Sequence, residues 1–214
     1  IIERLRNKGN IIIGGNIGKN KVTPNKKAKD DYLICFKALY DYVDYFAVNV
    51  SSPNTPNLRD LQNINDLRKI LSPLIKENKK RKSKPILIKI SPDLIDDDIK
   101  DLVDMALDLK IDGIITSNTT ISRNNLKSKK KLTDETGGLS GKPLNNRSTD
   151  IIRLIHEYSN KKLPIIGVGG IMTTQDALDK INAGASLIQL YTGFIYNGPS
   201  FARNINKEII KSLN

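Results

Sequence analysis

The 214-residue sequence is 38% hydrophobic and 27% charged and carries a formal net charge of +12, a balance that excludes a disordered chain and allows one sizeable core. No run of eighteen apolar residues is present, which excludes a transmembrane helix, and no basic-then-apolar opening predicts secretion. The single cysteine, Cys35, excludes an internal disulfide and suits a reducing compartment.

A first strand is predicted over Asn10–Asn16 ("NIIIGGN"). The following "GGNIGKNK" (Gly14–Lys21) fails the P-loop pattern, because Ile13 stands at the first glycine's place and Asn20 where Ser or Thr is required. Thr23-Pro24 reads as the N-cap and N1 of a helix whose apolar stretch, Tyr32–Tyr42, contains Cys35 as a packing residue. "YFAVNV" (Tyr45–Val50) is a second strand and opens into the polar, stiff loop "SSPNTPNLRDLQ" (Ser51–Gln62). A basic run, Lys76–Lys84, precedes a third strand, Ile86–Ile90. The next helix, Asp96–Lys110, carries Ile99, Leu102, Val103, Ala106 and Leu107 on one stripe, Asp96, Asp97 and Asp98 in its first turn and Lys110 in its last.

Further strands are predicted over Gly113–Asn118, Ile165–Gly170 and Leu187–Thr192. Between the last two runs a helix capped by Thr173 or Thr174 extends to Ala183 and is stopped by Gly184. His156, the only histidine, falls on a helix beside Glu157 as surface or core filler, which removes any Ser-His-Asp hydrolase. Six short, continuous apolar runs alternating with helices predict a parallel α/β sheet covered on both faces.

Polar or glycine residues end every strand: Asn16, Asn49, Lys89, Asn118, Gly170 and Thr192. That distribution suits the catalytic face of a (β/α)8 TIM barrel, with about six of its eight βα units present, rather than a doubly wound sheet. The start at Ile1 rather than Met adds the expectation that two units precede it. Glycines after the last two strands predict a phosphate site at Gly169, Gly170, Tyr191 and Thr192. Lys89, between Ile88 and Ile90, points opposite to them into the barrel mouth, where a buried ammonium needs an anionic partner or a function. Asn16, Asn49, Asn54 and Asn118 supply donor–acceptor pairs suited to a flat heterocycle. No His, Asp or Glu cluster has metal-ligand spacing, so no metal is expected. If a side chain moves a proton, the best placed are Ser51 and Ser52.

The runs Lys76–Lys84 and Lys127–Lys131 raise the question of nucleic acid. Neither is interleaved with aromatics and no nucleic-acid-binding signature accompanies them, so they are expected to be solvated surface, with an anionic membrane surface as the second reading.

"VNVSSPNTPNLRDLQ", "ILIKISPDL", "TSNTT", "ETGGLSGKPL", "PIIGVGGI" and "GASLIQLYTG" together, in this order, resemble the class 2, quinone-linked dihydroorotate dehydrogenases, over essentially the whole chain. The resemblance implies one FMN-binding barrel domain over residues 1–214 that oxidises dihydroorotate to orotate in pyrimidine synthesis. It implies Ser52 as the catalytic base, where class 1 enzymes use cysteine, with Pro53 and Pro56 stiffening its loop. FMN contacts are implied for Asn16, Asn49, Lys89, Ser117, Gly141, Gly170, Tyr191 and Thr192. Substrate contacts are implied for Asn49, Asn54, Asn118 and Thr119, and an active-site lid for Asn118–Leu144. Asn57 departs from the glycine of many relatives, and asparagine tolerates the left-handed backbone needed there. The family's first two barrel units and its membrane-docking helices have no counterpart in these residues. Quinone use and a peripheral location on the cytoplasmic side of a membrane follow by class alone. The alternatives are a soluble class 1-type dihydroorotate oxidase and, from another class, a basic nucleic-acid-binding module.

Overall fold

In the computed structural model, which describes residues 1–124 and 126–212, the six apolar runs form six parallel strands in one sheet. They are β1 (Gly14–Ile17), β2 (Tyr45–Asn49), β3 (Ile86–Ile90), β4 (Gly113–Thr116), β5 (Ile165–Val168) and β6 (Leu187–Gln189), hydrogen-bonded in sequence order. The helices are α1 (Ile2–Leu5), α2 (Ala28–Leu39), α3 (Ile64–Asn78), α4 (Asp96–Asp108), α5 (Lys130–Thr133), α6 (Asn145–Tyr158), α7 (Thr174–Asn182), α8 (Thr192–Asn197) and α9 (Ser200–Ser212). Each sheet crossing thus returns through helix, as parallel pairing demands.

Alternation along the strands sends two different layers to the two faces. Phe46, Val48, Ile88, Ile90, Ile114 and Ile165 pack outward against Tyr32, Phe36, Leu71, Leu74, Val103 and Ile155 of the helices, forming the main core. The residues between them, Ala47, Leu87, Ile115 and Val168, pack with Tyr45 and Ile166 into a smaller inner cluster. Lys89 shares its parity with Leu87 and therefore continues that inner face, in register with Asn49 and Ile115. The sheet is curled, with the inner cluster as the filling of its concave side.

Several boundaries differ from expectation: β4, β5 and β6 end early, at Thr116, Val168 and Gln189, and three other differences have a local reason. Ile11 and Ile12 stay exposed and pairing starts only at Gly14, opposite Tyr45, where a Cβ would come within 2.3 Å of the tyrosine ring. Thr23 is not a cap: its carbonyl accepts Lys19 Nζ at 2.6 Å, Pro24 precedes a single 3₁₀ turn, and α2 begins at Ala28. Lys110 lies beyond α4, at φ +55° in the left-handed region that ends the helix, so it is a terminator rather than a last-turn cation. The cap of α7 is Thr173, in a reciprocal box with Asp176, and Gly184 stops that helix at φ +111°.

The run Lys76–Lys84 is largely solvated, as expected, with Lys76, Lys79, Lys80, Arg81 and Lys82 exposed and Lys84 half-buried. Lys80 and Arg81 pair with Glu77, while Arg81 and Lys84 each lie 4.7 Å from the Tyr40 ring centre. Lys84 Nζ also donates to the carbonyls of Tyr40 and Val43, joining the end of α2 to the start of β3. Of these cations, Lys84 is the structural one.

Candidate active site

The carboxyl ends of β3 to β6 surround a cleft whose floor carries Lys89. Its neighbours Ile88 and Ile90 are fully buried on the outer face, so the strand forces the ammonium inward. The polar contact found for Nζ is Gln189 Oε1 at 3.3 Å, and burial pushes the lysine below its usual pKa range. No carboxylate forms an ion pair with it among the described residues. Beside it, Ser117 is buried and its Oγ has no hydrogen-bond partner. An unpaired ammonium and an orphaned hydroxyl at one cleft floor suit a ligand that brings acceptor and donor atoms to both.

The far wall is the turn after β5. Gly169 (φ +112°) and Gly170 (φ +73°) adopt conformations other residues avoid, and a Cβ on Gly170 would lie 2.3 Å from the Asn145 backbone. Both turn carbonyls face α6: Ser148 Oγ donates to Gly169 O at 2.9 Å and Asn145 Nδ2 to Gly170 O at 3.0 Å. Among the described residues neither glycine amide donates a hydrogen bond, which leaves them for an anionic group. Gly141 (φ +81°) comes so close to Thr192 that a Cβ would sit 3.2 Å from its methyl carbon, and Thr192 Oγ1 donates to Ser140 Oγ at 3.0 Å.

The loop after β2 forms the near wall. Ser51 is fully buried and its hydroxyl is used twice, donating to Asn49 Oδ1 at 3.0 Å and accepting from Asn118 Nδ2 at 3.0 Å. Ser52 is half-buried, and its Oγ accepts only a long bond, 3.3 Å, from the Asn54 amide. Of the two candidate serines, Ser52 thus has the freer hydroxyl. Asn54 Oδ1 accepts from the Gly138 amide at 3.2 Å, joining this loop to the expected lid. Asn57, at φ +56°, does adopt the left-handed backbone.

That lid segment, apart from Asn125, which lies outside the described residues, folds back on itself. Thr120 bridges Leu139, and Arg123 donates to the carbonyls of Thr133, Glu135 and Gly137.

The structure therefore gathers Lys89, Ser117, Asn118, Thr119, Gly141, Gly170, Tyr191 and Thr192 around one cleft. Asn49, Ser52 and Asn54 stand beside it, linked through Asn118 and the loop. Asn16 does not line this cleft among the described residues; on β1 it is exposed and in register with Ala47 of the inner cluster.

Sequence reasoning missed Arg59, Asp93, Gln189 and Lys180. Arg59 Nη1 pairs with Asp93 at 2.6 Å, Nη2 donates to Thr119 O at 2.7 Å and Nε to Ser51 O at 3.1 Å. Asp93 in turn accepts from Thr120 Oγ1 and from the Ile121 amide. One guanidinium thus ties together the loops after β2, β3 and β4. Its signal was available, since an Arg inside the quoted polar loop has few other uses for a planar fork of donors.

The family model for dihydroorotate dehydrogenase matches residues 1–213. A relative named dihydroorotate dehydrogenase (quinone) from Christiangramia forsetii is 56% identical over 211 residues, covering 98% of this chain and 62% of its own length. One of the same name from Trichodesmium erythraeum is 52% identical over 206 residues, covering 94% and 54%. The crystal structure of ligand-free type DHODH from Eimeria tenella superimposes with a TM-score of 0.91 at 36% identity, covering 100% of this chain and 64% of that one. The chain thus spans between about half and two thirds of the length of the relatives it matches.

Proposed function

The chain belongs to the dihydroorotate dehydrogenase family, and from that premise we propose that, within the full-length protein, it holds FMN and carries the base for oxidising dihydroorotate to orotate with a quinone as acceptor. The domain is then the larger part of a (β/α)8 barrel, and residues 1–214 form one unit of it. The relatives are named as quinone-linked enzymes. A lipid-soluble acceptor supports a peripheral position on the cytoplasmic side of a membrane; no helix among the described residues is long and apolar enough to cross one.

The observation that carries this reading is the Lys89–Ser117 floor, a desolvated ammonium beside an orphaned hydroxyl. Both fit the carbonyl- and nitrogen-rich edge of a flavin, and the free amides of Gly169 and Gly170 fit its phosphate. FMN, when bound, supplies the two-electron acceptor that passes electrons to the quinone. Lys89 favours negative charge at its edge of the cleft. Asn49, Asn118 and Thr119 offer amide and hydroxyl groups to the substrate's carboxylate and ring amides, with Asn54 aiding from the loop. Ser52 Oγ takes the proton from one ring carbon and passes its own proton on toward solvent as the carbon–carbon double bond forms, while the neighbouring carbon gives up its hydrogen with the electron pair to the two-electron acceptor that FMN would supply. A serine hydroxyl is a weak base, so the step depends on the loop holding it in line.

The test uses the full-length protein, purified with its bound flavin and kept without oxygen. Dihydroorotate should bleach the visible flavin absorption, and a quinone added afterwards should restore it. A yellow protein that dihydroorotate leaves unchanged would refute the substrate, and a colourless protein that takes up no FMN would refute the cofactor.

A further inference from the structure

We infer that Lys180 is a positioning residue: its buried ammonium, acting through Ser148, sets the Gly169–Gly170 turn to receive a phosphate monoester. This rests on the FMN reading above for the identity of the ligand, and it assigns a role to a residue that lies outside the cleft.

Lys180 lies on α7 and is 0% exposed. Its Nζ donates to Ser148 Oγ at 2.8 Å, to Thr149 Oγ1 at 2.9 Å and to Asn145 O at 3.3 Å. Three neutral acceptors on the first turn of α6 therefore match the three donors of one ammonium. No carboxylate pairs with it among the described residues. Asp176 and Asp179 on its own helix and Asp150 on α6 act only from a distance, and burial outweighs them, lowering its pKa to about 8. The group is still charged near neutral pH.

A charge buried without a counter-ion weakens a fold, and an apolar side chain of similar length would pack there at less cost. Keeping the cation makes sense if an anion arrives nearby. The hydrogen bonds say where. Lys180 occupies a lone pair of Ser148, so the single Ser148 proton is directed away from it, to Gly169 O at 2.9 Å and Asn145 O at 3.0 Å. Asn145, whose carbonyl Lys180 also holds, sends its side-chain amide to Gly170 O and to Asp176 Oδ1, each at 3.0 Å. Both carbonyls of the glycine turn are thereby tied back to α6, and its amides are left unspent on the cleft. The ammonium polarises this relay from behind and adds positive potential where a phosphate would sit.

The test compares FMN with riboflavin, which has the same ring system and no phosphate. Flavin-free full-length protein is titrated with each by fluorescence quenching, in the wild type, Lys180→Met, Ser148→Ala and the double variant. Lys180→Met should weaken FMN by roughly tenfold or more, the loss expected for one charge-assisted relay, while riboflavin affinity changes by less than about twofold. Ser148→Ala should show the same FMN-only loss in smaller degree, and the double variant should be no weaker than Lys180→Met. Equal weakening of both flavins, or of neither, would overturn the inference by reducing Lys180 to packing. If Lys180→Met does not fold, Ser148→Ala decides alone: an FMN-only loss supports the relay and its absence overturns it. A wild type that binds riboflavin as tightly as FMN would overturn the inference while leaving the flavin reading, whereas one that binds neither would defeat the flavin reading itself and the inference with it.

Discussion

Arg59 offers a perturbation whose size can be worked from its contacts. Replacing it by Met keeps most of the aliphatic stem and deletes the ion pair to Asp93 (2.6 Å) and the bonds to Thr119 O (2.7 Å) and Ser51 O (3.1 Å). Each hydrogen bond from a charged donor is worth about 1.5–3 kcal/mol when dry. The Arg59 and Asp93 side chains are 19% and 24% exposed, so water takes over part of every lost contact. A net loss of about 2–3 kcal/mol remains, against the roughly 4.5–9 kcal/mol that three dry bonds would sum to. Because two of the partners are loop carbonyls, most of that loss falls on local opening of the Ser51–Asn54 and Thr119–Ile121 segments. Amide hydrogen exchange should show faster exchange in both segments with the strands unchanged. A double-mutant cycle with Asp93→Asn should give a coupling of about 1 kcal/mol or more. Additivity of the two variants within about 0.3 kcal/mol, or unchanged exchange in both loops, would refute the clamp.

Gly184→Ala should destabilise the fold by about 2–4 kcal/mol in urea denaturation, combining a left-handed φ with a steric clash: the new Cβ would lie 2.2 Å from His156 Cγ at φ +111°. A loss under about 1 kcal/mol would mean that the His156 ring moves aside freely. Lys180 predicts a pH dependence. Its pKa falls from 10.5 to about 8 on folding, so between those values the unfolded chain holds a proton that the folded chain has released. The unfolding free energy of the wild type should therefore rise with pH across that window relative to Lys180→Met, in which the Lys89 contribution is retained and cancels. A flat difference curve from pH 8 upward would contradict the buried, depressed lysine.

The six strands were legible because branched aliphatic runs such as Ile86–Ile90 and Tyr45–Val50 leave little doubt about burial, and every one of them forms a strand. Lys89 was legible for the same reason, since a lysine between two isoleucines of a strand must point the other way. Element ends were harder. Thr23-Pro24 has the chemistry of a helix start, yet Lys19 claims the Thr23 carbonyl and moves the start to Ala28. Asn16 reads as a strand-end donor like Asn49, and it does sit in register with Ala47 of the inner face, although it does not line the cleft formed by the described residues. Lys180 was invisible for the opposite reason. In "TTQDALDKINAG" it looks like one more solvated helix lysine, and only the packing of α7 on α6 reveals that it is sealed. Composition and spacing leave the adjacent Ser51 and Ser52 equivalent; the family resemblance points to Ser52, and the hydrogen bonds leave it the freer hydroxyl.

The central claim is that Ser52 removes a proton at a cleft built to hold FMN, and a stopped-flow measurement of flavin bleaching by dihydroorotate, without oxygen, tests it most directly. Full-length wild type and Ser52→Ala should carry the same amount of FMN, with the variant bleaching slower by about a hundredfold or more. Equal bleaching rates in the two proteins would contradict the account, because the proton would then have left by another route.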